Sequence, residues 1–162
     1  MRKAALLFIV LAILPSSGAG ASAKPQVYST WDTMEMDKVA SLWLIKRFID
    51  PPATFRFYPQ GTMEMEGVQV DTPGSPYKRT HLATAYECLL RAHGLGDPAL
   101  LHIGQVVRDV EINIWGPKKL PESQGVDLVL KGIFLNSANP QESVEKGFIV
   151  MEALYRALSV KK

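Results

Sequence analysis

The stretch 37-DKVASLWLIKRFIDPPATFRFY-58 decides the fold. Val39, Leu42, Trp43, Lys46 and Ile49 recur at three- and four-residue spacing, which predicts a helix from about Met36 to Ile49. Asp37 lies near its start, where a negative charge suits the helix dipole. Pro51 and Pro52 end it. Beyond them Phe55 and Phe57 alternate with Arg56 and Tyr58, a strand pattern. Trp43, Leu44, Phe48 and Ile49 read as core, yet Lys38, Lys46, Arg47 and Arg56 share the same stretch. The question is whether those charges are held there for a purpose.

Working outward, residues 24–30 read as a polar leader to the domain. Residues 62–71 (TMEMEGVQVD) alternate again around Gly67, so a two- or three-stranded antiparallel unit is expected. Residues 72–81 (TPGSPYKRTH) form a loop. A second helix is expected over LATAYECLLRAHGL, with Gly94 as its stop. The next opens with Asp97 as N-cap and Pro98 in its first turn, and VEINIW at its end could run extended. A loop over 116–122, an apolar helix, and a last helix with Asn139, Pro140 and Glu142 at its start complete the chain. The expected class is α+β, mainly α: one compact domain of about five helices with a small antiparallel β element after the first.

The amino terminus reads differently. Arg2 and Lys3 precede the apolar run Ala4–Leu14, Pro15 breaks it, and Ala21-Ser22-Ala23 is a cleavage pattern. That is the layout of a secretory signal peptide over 1–23, with the folded domain over 24–162 and a periplasmic or secreted destination. The apolar run falls short of the ~20 residues a spanning helix needs. Loss of Arg2 and Lys3 would take the formal net charge from +2 to zero. A neutral domain offers no electrostatic footprint for nucleic acid, and no stable membrane span would remain. The single cysteine, Cys88, rules out an internal disulfide and reads as a buried small hydrophobe.

Common catalytic motifs are missing. There is no Gly-rich phosphate loop, no G-x-S-x-G, no H-E-x-x-H, no paired cysteines and no C-x-x-C-H. His81, His93 and His102 do not share a helix turn.

Three blocks carry a resemblance. Residues 37–57, DKVASLWLIKRFIDPPATFRF, closely resemble the opening of the ChrB-type chromate-resistance domain family, also called chromate resistance exported protein. Residues 84–100 (TAYECLLRAHGLGDPAL) and 104–112 (GQVVRDVEI) are similar to two later family blocks. Glu111 stands where the family usually has Asp, and Thr84 where it often has Cys. Longer members carry an N-terminal regulatory domain thought to bind DNA, a role not expected of a chain with an export leader.

The resemblance implies chromate, a tetrahedral dianion, which calls for Arg forks, Lys or a helix N-terminus. The oxyanion candidates are Arg47, Lys78, Arg79 and Arg108, which the bland reading leaves solvated or ion-paired. A divalent or trivalent metal ion, held by Asp71, His81, Glu87 and Glu111, is the second option; hard cations take such ligands. In the bland reading Asp71 caps a turn, His81 faces solvent and Glu87 pairs with Arg91. With no dithiol, flavin or nicotinamide motif, ion binding is preferred to reduction. Two alternatives stay open: a metal-dependent enzyme with a dispersed Asp/Glu/His site, and a structural interaction module.

Overall fold

The computed structural model describes residues 25–160. The expected signal peptide lies outside them. Strand β1 (Val27–Trp31) is followed by helix α1 (Met36–Leu44), a π-helical segment (Ile45–Ile49) and strands β2 (Thr54–Tyr58) and β3 (Val68–Gln69). Helices α2 (Ala85–Ala92), α3 (Pro98–Glu111), α4 (Ser123–Leu135) and α5 (Pro140–Ser159) complete the domain.

All nine residues of α1 are buried. A helix enclosed on every side is normally apolar all round, so its Asp37, Lys38 and Ser41 must find partners inside. Past Leu44 the chain loosens: Asp50 N donates to Ile45 O at 2.8 Å, the five-residue reach of a π turn. Pro51 then stops the helix. Trp43, Phe48 and Tyr155 of α5 meet with ring centroids 5.2–5.8 Å apart, so Trp43 and Phe48 are core as expected.

The antiparallel expectation is wrong. The sheet is parallel, in the order β2-β1-β3, with Val27 opposite Thr54 and Tyr28 opposite Val68. The two sequence-predicted strands never pair with each other, because the leader inserts between them as the central strand. Its Ser29 and Thr30 are fully buried. Helix α1 and the π segment supply the crossover that parallel pairing requires. Residues 62–66 are not a strand, and Met63 is 58% exposed. The chain re-enters the sheet through Gly67 at φ +76°, where a Cβ would lie 2.1 Å from Val27 O, so only glycine fits.

The helical expectations hold better. Thr84 and Glu87 form a capping box at α2, which therefore begins at Ala85, leaving Leu82 70% exposed. Gly94, at φ +61°, closes α2 with Gly94 N to Arg91 O and Leu95 N to Leu90 O, the paired bonds of a Schellman end. Asp97 and Asn139 cap α3 and α5 through their side chains, and Pro follows each. Residues 112–115 run into a turn rather than extending. Lys118 Nζ reaches the carbonyls of Asp109, Val110 and Asn113 there and satisfies the end of α3. Cys88 is half-buried rather than enclosed.

Helix α5 crosses α1 closely at Gly147, where a Cβ would sit 2.5 Å from Val39 Cγ1. A helical valine is held in one rotamer and cannot swing aside. Gly147→Ala gains up to about 1 kcal/mol of helix propensity but overpacks the crossing at about 1–3 kcal/mol. The expected result is a net loss of about 1 kcal/mol in urea unfolding, relieved in the Gly147→Ala/Val39→Ala double variant. A gain in stability from Gly147→Ala alone would contradict this packing.

Candidate functional site

The site forms where α1 and α2 begin, α3 ends, and the loop after β3 passes. Each helix start is served by a carboxylate from elsewhere in the chain. Asp37 is fully buried and accepts from the first two N–H groups of α2, Ala85 N to Oδ2 at 2.8 Å and Tyr86 N to Oδ1 at 2.9 Å. Ser41 Oγ adds a longer bond at 3.4 Å. Glu111, the last residue of α3, accepts from Met36 N at 2.8 Å and Asp37 N at 3.4 Å, so it caps α1. Glu35 occupies the N-cap position of α1 without a side-chain cap bond. It turns instead to Arg79, whose Nη2 meets Glu35 and whose Nη1 meets Glu111. Lys38, 2% exposed, donates to Thr33 O and to Thr33 Oγ1.

Asp71 completes the cluster from the loop side. Its φ of +50° is the one left-handed backbone outside glycine among the described residues, a strained conformation that tends to persist at functional positions. Burial drives its carboxyl up to about 6, against the pull of Arg79 and Lys38 and with help from Glu35 and Glu111. Burial, reinforced by Asp71 and Glu111, pushes Asp37 up to about 8, although the Tyr86 and Ala85 N–H groups oppose it. Glu111 is raised for the same first reason. Burial lowers Lys38. It works against Arg79 too, but Asp71, Glu111 and Glu35 outweigh it and raise the guanidinium further.

In front of this cluster lies a cleft of about 400 Å³ lined by Trp31, Asp71, Thr72, Pro73, Lys78 and Arg79. Trp31 is fixed by its Nε1 bond to Thr62 O at 2.8 Å. Thr72 Oγ1 donates to Gln69 Oε1 at 2.9 Å. A guanidinium carries five N–H donors. Glu35 and Glu111 take one each, and the others have no hydrogen-bond partner among the described residues.

The structure sorts the sequence-predicted residues. Asp71, Lys78 and Arg79 share the cleft, and Glu111 stands behind Arg79. Arg108 is far from available: its Nε and Nη2 grip Glu87 at 2.8 Å each, and Nη2 also meets Leu82 O at 2.6 Å. That ion pair, not Arg91, engages Glu87. Arg47 meets Glu152 of α5 at 3.4 Å, away from the cleft. His81 is exposed on its loop. Among the described residues, no three His, Cys, Asp or Glu side chains come together to hold a metal ion, so the Asp71, His81, Glu87 and Glu111 set does not assemble. Reading the sequence missed Glu35, Asp37 and Lys38 as members. Nothing in the sequence warned of this, because Asp37, Lys38 and Ser41 fall on one side of α1 and so read as an ordinary solvated face.

The profile of the family described as "ChrB, C-terminal domain" matches residues 28–158. The chain is 28% identical over 134 residues to "Protein ChrB" of Cupriavidus metallidurans, an alignment covering 82% of this chain and 40% of that protein. It therefore spans well under half of this relative's length. No solved structure matches. On the extent of the profile match, the chain belongs to the ChrB C-terminal domain family.

Proposed function

We propose that the protein serves chromate resistance from outside the cytoplasm, by binding a small oxyanion in the Trp31–Arg79 cleft without transforming it. The family match supports the chromate-resistance role, and the leader over 1–23 supports export. One observation carries the binding reading: Lys78 and Arg79 stand side by side on a cleft wall, and Arg79 keeps donors uncommitted. The guanidinium is held rigid by Glu35 and Glu111, so little side-chain freedom is lost when a tetrahedral oxyanion meets it. Lys78 has no ion pair among the described residues and supplies the unpaired positive charge, since Glu35 and Glu111 already offset that of Arg79.

A cation in the same place is the second reading. It is favoured by Asp71, which lines the cleft and whose carboxyl is raised by burial, a cost that a bound positive charge would relieve. It is also the form in which a metal-dependent enzyme would survive.

Titration calorimetry with chromate, Cr(III), Fe(II), Mn(II) and Zn(II) separates these readings. Chromate is expected to give heat. Lys78→Ala should weaken it about 10-fold or more, the worth of one hydrogen bond to a charged group, while Arg47→Ala should leave it unchanged. Heat from a metal ion alone would favour the second reading. No heat with any ion would end both.

A further inference from the structure

We propose that a second groove, between the π segment and α5, is the docking site for the Met63–Glu66 loop of another copy of this chain. The groove encloses about 520 Å³. Its floor is apolar, formed by Trp43, Phe148, Ile149 and Ala153, and Ile149 is left 71% exposed. Its rim is cationic. Arg47 and Arg156 share one carboxylate, Glu152, which Arg47 meets at 3.4 Å and Arg156 at 2.8 Å, while Lys46, also on the rim, donates to Ala53 O at 2.8 Å. Two guanidiniums on one carboxylate leave positive charge uncompensated. One wall is the π turn at Ile45–Ile49, and π turns concentrate at functional places.

The occupant must be apolar and acidic. Residues 1–24 do not qualify, since they carry Arg2, Lys3 and Lys24 and no carboxylate. The loop Met63-Glu64-Met65-Glu66 does. Met63 is 58% exposed. Glu64 is exposed and has no ion pair among the described residues. The Glu66 carboxylate meets only the exposed Arg56, at 2.9 Å, among the described residues. Methionine adapts to irregular apolar floors and makes favourable contacts with aromatic edges, here that of the half-buried Phe148.

The loop cannot fill its own groove. Successive strand side chains point to opposite faces. On β2, Phe55 packs against Phe148 of α5, with centroids 6.0 Å apart, and the next residue, Arg56, holds Glu66. Loop and groove therefore lie on opposite faces of β2, and their meeting requires two molecules. The contact joins unlike surfaces, so it closes as a reciprocal pair or ring, or else propagates.

Sedimentation velocity on the purified protein tests this up to about 1 mM. Wild type is expected to associate, and less so in high salt, because the contact is charged. A groove variant (Arg47→Glu/Arg156→Glu) and a loop variant (Met63→Ser/Glu64→Lys) are each expected to stay monomeric at that concentration. Mixed together, they should form a heterodimer and nothing larger, because one retains its loop and the other its groove. Wild type that stays monomeric, variants that still associate, or a mixture without heterodimer would each overturn the proposal. The substituted side chains are exposed or rim the groove, and unchanged circular dichroism would verify the fold.

Discussion

Asp37→Ala is expected to lower unfolding stability by about 2–6 kcal/mol, because two buried N–H groups lose their acceptor at about 1–3 kcal/mol each. Against a typical total of about 5–15 kcal/mol, that is a large share. The reason is local. Ala85 N and Tyr86 N sit at the start of α2 with Asp37 as their acceptor, and the site is closed to water. Alanine leaves both N–H groups buried and unsatisfied. A urea midpoint within error of wild type would refute the inter-helix cap.

The same residue gives a pH signature. Asp37 is raised to about 8 and Asp71 to about 6, from an ordinary 3.8. Between those limits the folded chain holds protons that the unfolded chain releases. Stability from these two groups is therefore greatest near pH 4 and falls as pH rises toward 8. Asp37→Asn removes its part of that slope. A wild type whose stability climbs from pH 5 to 8 would contradict the charge state assigned to this cluster.

Arg79→Ala is the second large effect, expected at about 2–4 kcal/mol at pH 7.5, discounted from a fully buried pair because the guanidinium is 28% exposed. It frees two carboxylates at once, Glu35 and Glu111, and takes from Asp71 its strongest stabilising charge. Glu111 feels this most, since its side chain is only 14% exposed. Without Arg79 the carboxyls of Glu111 and Asp71 rise further, so the deficit should shrink as pH falls toward 5 and they take up protons. Paired denaturant melts at pH 5 and 7.5 measure this. An equal deficit at both would mean that Arg79 acts by packing alone. Arg79→Lys should recover only part of the loss, because an ammonium cannot fork between two carboxylates.

What the sequence made legible was local. Helix α1 followed from the spacing of Val39, Leu42 and Trp43. The caps at Asp97 and Asn139 and the stop at Gly94 came from chemistry that needs no tertiary partner. Strand pairing did not come through. Ser29 and Thr30 look like leader residues, and only the structure shows them enclosed at the centre of a sheet. With that strand unseen, β2 and β3 could only be paired with each other, and an antiparallel unit followed. The site was legible by half. Asp71, Lys78 and Arg79 were each picked out by their own chemistry, but as members of two separate sets, one for a cation and one for an oxyanion. Asp37 and Glu111 serve helices other than their own, and residue spacing carries no trace of such exchanges. Glu87 was misjudged for the same reason: Arg91 is its neighbour along the helix, but Arg108 on α3 reaches it.

The placement of β1 has a bearing on biogenesis. It is the first described element to leave the ribosome, yet its hydrogen-bonding partners, Thr54–Tyr58 and Val68–Gln69, are made much later. At about 5–20 residues per second, seconds pass before the strand has neighbours on both sides. Through that interval the nascent chain presents two bare strand edges. They are covered only when the turn at Gly67 brings β3 alongside.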